Sequence, residues 1–195
     1  THVEAFRQFL GSEHAITPIH SPPSAPALRF SVRSNPIAAA LAWFGVMPNK
    51  SLTASASAVA INSRDFWRGV IDGDGYIARA KDGRARLELV GSDSLLGQFV
   101  AFLRDNGVAT ESTVRPHKSI YVVGLCGVYA EDAIRLLYQP GDVALHRKQI
   151  AARNILMAGR AMQGAAPLTK GRRRSAKSKS LPGSEHTGMA TASGN

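Results

Sequence analysis

Three aspartates and three glycines are concentrated in the stretch DFWRGVIDGDGYI, residues 65–77. Asp72 and Asp74 end a run of helically spaced apolar residues, and the dipole at a helix C-terminus disfavours negative charge by a few tenths to about 1 kcal/mol. A carboxylate in such a place needs a cation, and oxygen ligands of this kind suit a hard ion such as Mg²⁺. The two acids therefore predict a divalent-metal site.

Gly69 and Gly73 lie inside the same predicted helix, where a glycine costs about 1 kcal/mol relative to alanine. Because they are four positions apart, they stack on one helix face and remove the side chains that would keep a second helix at a distance. We therefore expect two helix backbones to touch along this glycine face.

The stretch DGDGYI has two other possible interpretations, a calcium-binding loop and a purely structural helix end. DGDGYI is similar to the middle of an EF-hand calcium loop, with Gly75 at the glycine position. In that register the first ligand is Val70 and the twelfth is Lys81, and neither is an acid. The EF-hand interpretation fails on both residues, whereas a purely structural helix end with two solvated aspartates stays open.

Composition indicates a basic globular protein. The chain has 195 residues, 44% of them hydrophobic, which is enough to bury a core in one domain or two small ones. Half of the net charge of +10 comes from the stretch after Pro167, so the remaining body is basic as well. This balance favours a polyanionic partner, nucleic acid before membrane.

Cysteine content and hydropathy predict a location inside the cell. Cys126 is the only cysteine, which excludes an intrachain disulfide or a thiolate metal cluster, and we expect it to be a small core residue. The longest uncharged run, residues 36–49, is too short to cross a bilayer, and no signal-peptide pattern is present. We expect a cytoplasmic protein without a membrane partner. Because the chain begins with Thr1 rather than methionine, we expect it to be a fragment.

The apolar pattern predicts an alternation of helices and strands. The first part should contain a helix over 4–10, strands over 14–20 and 27–32, and a helix over 35–44. Ser63 should cap a helix that ends near Asp74, and Asp82 and Gly83 should form the turn of a hairpin between strands 76–80 and 85–91. The remaining predictions are a helix over 93–105, strands over 108–115 and 119–125, and helices over 130–138 and 145–157.

This order contains a repeat. FRQFL at 6–10 and FVAFL at 99–103 are 93 positions apart, and each is followed by two strands, a helix, a proline-containing turn and a lysine. Only the second copy is preceded by DFWRGVIDGDGYI and a hairpin. The same offset would place the counterpart of Asp74 about 20 residues before Thr1. Two ordinary α/β units of unrelated origin remain the alternative.

WRGVIDGDG, residues 67–75, resembles the signature nonapeptide of the LAGLIDADG homing endonucleases. The match covers Gly69, the apolar pair Val70 and Ile71, Asp72, Asp74 and Gly75. It departs from the family at Trp67 and Arg68, where leucine and alanine are usual. The resemblance implies an α+β fold of αββαββα repeats with antiparallel DNA-binding sheets. Residues 1–62 would be a partial first repeat without its signature helix, 63–160 a second repeat with it, and 161–195 a basic disordered tail.

The resemblance also implies roles for individual residues. Two signature helices would pack through the glycine face of Gly69 and Gly73, and Asp74 with the main-chain carbonyl of Gly75 would hold Mg²⁺ for phosphodiester hydrolysis. A basic residue near the scissile phosphate would be Lys50 in the first repeat and His146 or Lys148 in the second. Ordinary surface charges are the alternative for these three.

DNA contacts are expected on strands and hairpin turns. Strand alternation would place Arg29, Ser31 and Arg33 on one face, and Arg84, Arg86 and Glu88 on one face of the next hairpin. Arg79 and Lys81 would lie opposite them in the partner strand, and Arg115, His117 and Lys118 at the later turn. The predicted DNA-binding residues are Arg29, Arg33, Arg79, Lys81, Arg84, Arg86, Arg115 and Lys118. The same alternation describes any sheet with one solvated side.

The first functional hypothesis is a Mg²⁺-dependent homing endonuclease acting on a long double-stranded DNA target. The second signature helix would come from a longer chain, giving a pseudo-dimer, or from a second chain. The alternative keeps the fold without catalysis, as an intron maturase or a DNA-binding regulator. An endonuclease domain of an intein is the weakest hypothesis, because the chain ends in TASGN rather than His-Asn.

Overall fold

The structure is a computed structural model that describes residues 2–20, 22–23, 26–46 and 52–164, without the side chains of 160–164. The N-terminal elements are α1 (His2–Phe9), β1 (Ile16–Ile19), β2 (Ala27–Phe30) and α2 (Asn35–Trp43). A longer series follows: α3 (Arg64–Asp74), β3 (Gly75–Arg79), β4 (Ala85–Gly91), α4 (Asp93–Asp105), β5 (Arg115–His117), β6 (Ile120–Cys126), α5 (Val128–Leu137) and α6 (His146–Gly164).

All described strand pairings are antiparallel. β1 pairs with β2, and a four-stranded sheet has the order β3-β4-β6-β5. Helices alternate with strand pairs from α3 to α5 in the order αββαββα, and α6 follows. The chain is therefore α+β with antiparallel sheets, which confirms the fold class expected from the sequence.

Local signals fix both ends of α3. The Ser63 side chain accepts a hydrogen bond from the Phe66 N–H and caps the first turn, as serine commonly does. At the other end, Gly75 leaves the helix in an extended conformation and β3 begins at once. A Cβ atom on Gly75 would lie 2.6 Å from the Ile71 carbonyl oxygen, so this junction requires glycine.

The helices of the second series cover one side of the four-stranded sheet. Leu87 and Leu89 of β4 are buried, whereas Arg86, directly before them, is exposed. Trp67 of α3 is fully buried, with ring centroids 5.3 Å from Phe99 and 5.9 Å from Phe102 of α4. The core therefore lies between this side of the sheet and the helices, and the other side remains open.

The first series repeats part of the second with little burial. β2 and β6 begin 93 positions apart, at Ala27 and Ile120, and so do α2 and α5, at Asn35 and Val128. Within the described residues, neither α1 nor α2 contains a buried residue. The first copy therefore has the same elements without a comparable core.

Several boundaries differ from those expected. Residues 108–114 do not form a strand; instead, the Ser112 hydroxyl donates to the Gly124 carbonyl and Arg104 donates to the Thr110 carbonyl. The last helix continues to Gly164, past the boundary expected at residue 160. The rest of the predicted basic tail, 165–195, lies outside the described residues.

Cys126 is not the core residue expected from its type, because the structure exposes it at the end of β6. It pairs with Arg86 on the side of the sheet that the helices leave open.

No helix among the described residues is long and apolar enough to cross a membrane.

Candidate metal and nucleic-acid site

The glycine face of α3 is uncovered. Gly69 and Gly73 are exposed, and a Cβ atom built on either would meet nothing within 4 Å. On the opposite side of the helix, Trp67 and Ile71 are fully buried in the core. Within the described part of the chain no second helix occupies the glycine face, and its surface is free to accept one.

The two departures from the signature sequence do not obstruct this face. Trp67 points into the core, where its indole N–H donates to the Ile61 carbonyl at 2.7 Å. Arg68 is buried against the segment that joins α5 to α6, and its Nε donates to the Val143 carbonyl. Both bulky side chains lie away from Gly69 and Gly73, so close approach of a second backbone is sterically open.

The two aspartates have different environments. Asp72 is buried and accepts hydrogen bonds from the Tyr138 hydroxyl and the Leu145 N–H, each at 2.7 Å. Asp74 is exposed and forms no hydrogen bond or ion pair with any residue that the structure describes. Asp72 is thus used in internal packing, whereas the carboxylate of Asp74 is free for a ligand.

The hydrogen bond between Tyr138 and Asp72 is a buried one. Burial raises the pKa of the Tyr138 hydroxyl far above its usual value, and the hydrogen bond to the Asp72 carboxylate raises it further. The hydroxyl therefore stays protonated and keeps donating. This contact ties the end of α5 to α3.

Asp74 also lines a cavity of about 330 Å³. Phe66 and Val70, two turns and one turn earlier on α3, line the same cavity, together with Phe44 and Val46 that follow α2. The carboxylate therefore lies at an apolar recess between the end of the first copy and the start of the second.

Lys148 brings a cation to the end of α3. Its side chain is buried, and its ammonium donates a hydrogen bond to the main-chain carbonyl of Gly75. Burial lowers the pKa of Lys148 below its usual value, the nearby Arg147 charge lowers it further, and Asp72 acts in the opposite direction. Of the basic residues expected here, Lys148 contacts the Asp74–Gly75 end of the helix.

His146 lies elsewhere. It is exposed and lines a second cavity, of about 670 Å³, between the end of α5 and α6. Residues 146 and 148 differ by two positions on α6 and therefore point about 200° apart around the helix axis, which explains why only one of them reaches Gly75. Lys50, the expected basic residue of the first repeat, lies outside the described residues.

The oxygen donors at this end of α3 fit a hard cation in part. The Asp74 carboxylate and the Gly75 carbonyl are the donor types that Mg²⁺ prefers, and a carbonyl has a second lone pair beside the one that Lys148 uses. Among the described residues, no group of three or more His, Cys, Asp or Glu side chains could hold a metal ion. The described residues thus provide a partial site, and other ligands would have to complete it.

The open side of the four-stranded sheet presents polar and aromatic side chains. The strand register places Arg86 beside Ala78 and Cys126, and Glu88 beside Tyr76 and Gly124. Arg115 and His117 of β5 lie on the same side, paired with Val122 and Ile120. This open side, defined by β3 to β6, is the candidate nucleic-acid surface.

Five of the predicted DNA-binding residues are available around this surface, and two of those are paired with acids. Arg86 forms an ion pair with Glu88 at 2.8 Å, and Arg84 forms one with Asp82 at 2.7 Å. Arg115 and Lys118 are exposed and form no ion pair with a described residue. The same is true of Lys81, which lies in the hairpin turn after β3.

The prediction that Arg79 faces DNA is wrong, because this residue lies on the helix-covered side of the sheet. Its strand partner is the buried Ala85, and its guanidinium donates to the Gly83 and Ile155 carbonyls. The β3–β4 register places Arg79 and Arg86 on opposite faces of the sheet, so they cannot face the same DNA groove. The residues that face it from β3 are Tyr76 and Ala78.

In the first copy, Arg29 pairs with Thr17 across the β1–β2 ribbon and is exposed. The expectation that Arg29, Ser31 and Arg33 share one strand face is wrong, because β2 ends at Phe30. Arg33 is exposed beyond the end of the strand, where strand alternation does not set its direction.

Comparison with known proteins gives a weak likeness of fold. No family model and no curated protein matches the chain. A crystal structure of the homing endonuclease I-CvuI with its DNA target and calcium is 17% identical, covers 52% of this chain and 68% of that chain, and has a TM-score of 0.36. The same enzyme on the I-CreI target with magnesium, its DNA not cleaved, has the same identity and coverage and a TM-score of 0.34. At these TM-scores the likeness carries no functional argument.

Sequence analysis did not select two residues near the candidate site, Tyr76 and Asp142. Tyr76 is exposed on the open side of the sheet, and Ile77 beside it is buried. Strand alternation in the sequence could have predicted this exposure. Asp142, which pairs with Arg64 and Arg68, gave no signal, since its partners lie more than 70 positions away in the sequence.

Proposed function

We propose that this chain is a LAGLIDADG homing endonuclease that hydrolyses phosphodiester bonds in a long double-stranded DNA target with Mg²⁺. The observation that carries the proposal is the end of α3. There Asp74 is exposed and has no partner among the described residues, the next residue, Gly75, accepts a hydrogen bond from the buried Lys148 ammonium, and the glycine face of the same helix is open. A structural helix end would not require an open glycine face together with a free carboxylate.

In this proposal Asp74 and the Gly75 carbonyl hold the metal, which when bound supplies an activated water and stabilises the leaving oxygen. The Lys148 ammonium, fixed at the Gly75 carbonyl, adds positive charge where the scissile phosphate would carry negative charge. Asp72 takes no direct part, because its carboxylate is already used by Tyr138 and Leu145.

The proposed enzyme needs a second unit like α3–β3–β4, and the exposed apolar residues of the first copy support this. Phe6 and Phe9 are 51% and 83% exposed, whereas Phe99 and Phe102, 93 positions later, are 0% and 4% exposed. Trp67 of α3 packs against the latter two.

Leu41 and Phe44 repeat the same contrast, because both are exposed while Ile134 and Leu137 are fully buried. Exposed apolar surface of this extent marks an interaction site. We infer that a second signature helix and hairpin cover the first copy, from a longer chain or from a second chain.

The proposed DNA contact is the open side of the four-stranded sheet. Its exposed cations can neutralise phosphates, and Arg86 with Glu88 offers a donor and an acceptor that suit base edges in the major groove. A surface ion pair of this kind contributes little to stability, so its exchange for contacts with DNA has a low cost.

The alternative is a nucleic-acid-binding protein without cleavage, as an intron maturase or a DNA-binding regulator. The observation in its favour is that the described residues provide one Asp74 and no complete cluster of metal ligands. It predicts salt-sensitive binding of nucleic acid without strand breakage.

The decisive experiment uses the purified full-length protein, so that any second unit encoded in the same gene is present, and incubates it with a library of long DNA duplexes, with and without Mg²⁺. Any cleaved ends are then sequenced. We expect Mg²⁺-dependent cleavage that Asp74→Asn abolishes. Asp132→Asn is the matched control, because Asp132 is exposed on α5 and pairs only with Arg135 among the described residues. Cleavage that survives Asp74→Asn refutes the mechanism, and tight binding without cleavage favours the alternative.

A further inference from the structure

One stripe of α3 holds the segment that joins α5 to α6. Arg64 forms an ion pair with Asp142 at 2.7 Å, and Arg68, one turn later, forms one with the same carboxylate at 3.1 Å. Asp72, a further turn along, accepts the Leu145 N–H. Three successive turns of one helix thus hold residues 142 to 145 by charged hydrogen bonds.

The centre of this contact is buried. Arg68 is 6% exposed, and the Asp142 side chain is 10% exposed. Arg68 uses its remaining donors on the Val143 carbonyl at 3.0 Å and on Asp65 at 2.8 Å, while Asp142 also accepts the Gln139 N–H at 2.7 Å. Loss of Asp142 would leave the buried Arg68 with only the exposed Asp65, and loss of Arg68 would leave Asp142 with only Arg64. Either loss therefore weakens the compensation of a buried charge.

The position of the held segment matters for the candidate site. α6 begins at His146, directly after Leu145, and Lys148 lies in its first turn. The Leu145 carbonyl accepts the Lys148 and Gln149 N–H groups at 2.8 and 3.0 Å, so fixing residues 142 to 145 against α3 also fixes where the Lys148 side chain starts. That side chain then reaches back to Gly75 at the end of the same α3.

We propose that Arg68 and Asp142 are positioning residues, whose buried ion pair holds the start of α6 so that the Lys148 ammonium meets the Gly75 carbonyl. The functional importance of that meeting rests on the proposed nuclease activity, but the positioning itself does not. Arg68 stands at one of the two positions where this chain departs from the signature sequence, so the device is a property of this chain.

The test measures how accessible the Lys148 amine is, in the purified full chain without DNA or metal. Trace acetylation with acetic anhydride is followed by mass spectrometry of the peptides that contain Lys148 and the exposed Lys81 and Lys118. In Arg68→Met and in Asp142→Asn, we expect acetylation of Lys148 to become about tenfold faster, because local opening exposes the amine. The rates of Lys81 and Lys118 should not change, and Arg68→Lys should restore part of the protection.

Leu96→Ala is the matched control, because Leu96 is fully buried on α4 and makes no contact in this polar set. It destabilises the core, yet under conditions where the variant is folded it should leave the Lys148 rate near that of the parent chain. Equal acceleration in Leu96→Ala, or an unchanged rate in Arg68→Met, overturns the proposal. If Arg68→Met does not fold, the milder Asp142→Asn decides.

Cleavage kinetics separate this inference from the proposed function. With an active nuclease, Arg68→Lys should lower kcat and leave DNA affinity unchanged, as expected when the geometry of a catalytic cation changes. If the chain proves inactive on DNA, the acetylation result still supports or overturns the positioning role alone.

Discussion

Replacing Gly69 with alanine separates folding of this chain from the proposed pairing of α3 with a second helix. Gly69 lies in the middle of α3, is exposed, and has open space where the new methyl group would lie. The folded chain should therefore accept alanine without strain. Because alanine favours an exposed helix interior, the free energy of unfolding should rise by about 0.8–1.0 kcal/mol. For a chain of this length, this corresponds to an increase in Tm of roughly 2–4 °C.

The same methyl group should oppose contact with a second helix. If another backbone packs closely on the glycine face, the added group overfills the interface at a cost of roughly 1–3 kcal/mol. Association through this face should weaken by about 5- to 150-fold, and cleavage of DNA should fall with it. The substitution should thus stabilise the isolated chain and impair the assembled one.

Thermal and urea unfolding of the isolated chain measure the first effect, and sedimentation with DNA plus the cleavage assay measure the second. Gly97→Ala is the matched control, since Gly97 is an exposed glycine inside α4 with nothing within 4 Å of its added Cβ. It should raise stability without affecting association. If Gly69→Ala matches this control in every assay, the pairing hypothesis is wrong; if it lowers the stability of the isolated chain, the glycine face is covered.

Three further predictions follow from single contacts. Gly75→Ala should lower the free energy of unfolding by roughly 1–3 kcal/mol, as measured by urea denaturation, because the new Cβ would lie 2.6 Å from the Ile71 carbonyl oxygen; an unchanged urea midpoint would show that the junction can relax. Tyr138→Phe should cost roughly 1.5–3 kcal/mol in the same assay, since it removes a donor from the buried Asp72 carboxylate; a neutral result would mean that water replaces the hydroxyl. Arg115→Ala should weaken DNA binding and reduce the slope of log affinity against log salt by about 1, and an unaltered slope in a salt titration would remove Arg115 from the interface.

Where the signals are local, the sequence predicts this fold well. The Ser63 cap, the end of the helix at Asp74 and the hairpin at Asp82 and Gly83 all appear where they were expected. These features depend on residues within one or two turns of each other, so composition at the site decides them. The bounds of α4, from Asp93 to Asp105, are also as expected, because Ser92 caps it in the same way.

Predictions that depend on distant contacts were less accurate. Arginine commonly binds DNA, but the position of Arg79 along β3 directs its side chain to the helix-covered side of the sheet. There the Ile155 carbonyl accepts its hydrogen bond. The stretch 108–114 is apolar and β-branched enough for a strand, yet side chains hold it through Ser112 and Arg104 instead. The position of Arg79 depends on a residue 76 positions away, and the stretch 108–114 depends on side-chain contacts that span 6 and 12 positions. Strand alternation contains neither kind of contact.

The environments of Asp72 and Asp74 depend on which row of the helix each residue occupies, and not on their spacing alone. In α3, residues four apart share a row along the helix, and each row has a different environment. Trp67 and Ile71 enter the core. The row of 64, 68 and 72 holds the α5–α6 segment, the row of 66, 70 and 74 lines the cavity, and the row of 69 and 73 is open.

Asp72 and Asp74 differ by two positions and so fall on opposite sides of the helix, one in the polar row and one at the cavity. A tryptophan and an arginine are accommodated at 67 and 68 because those positions belong to the core row and the polar row. The glycine row has no such latitude if a second helix must contact it, and this is why the glycine substitutions, rather than those of the aspartates alone, test whether the helix is one half of a pair.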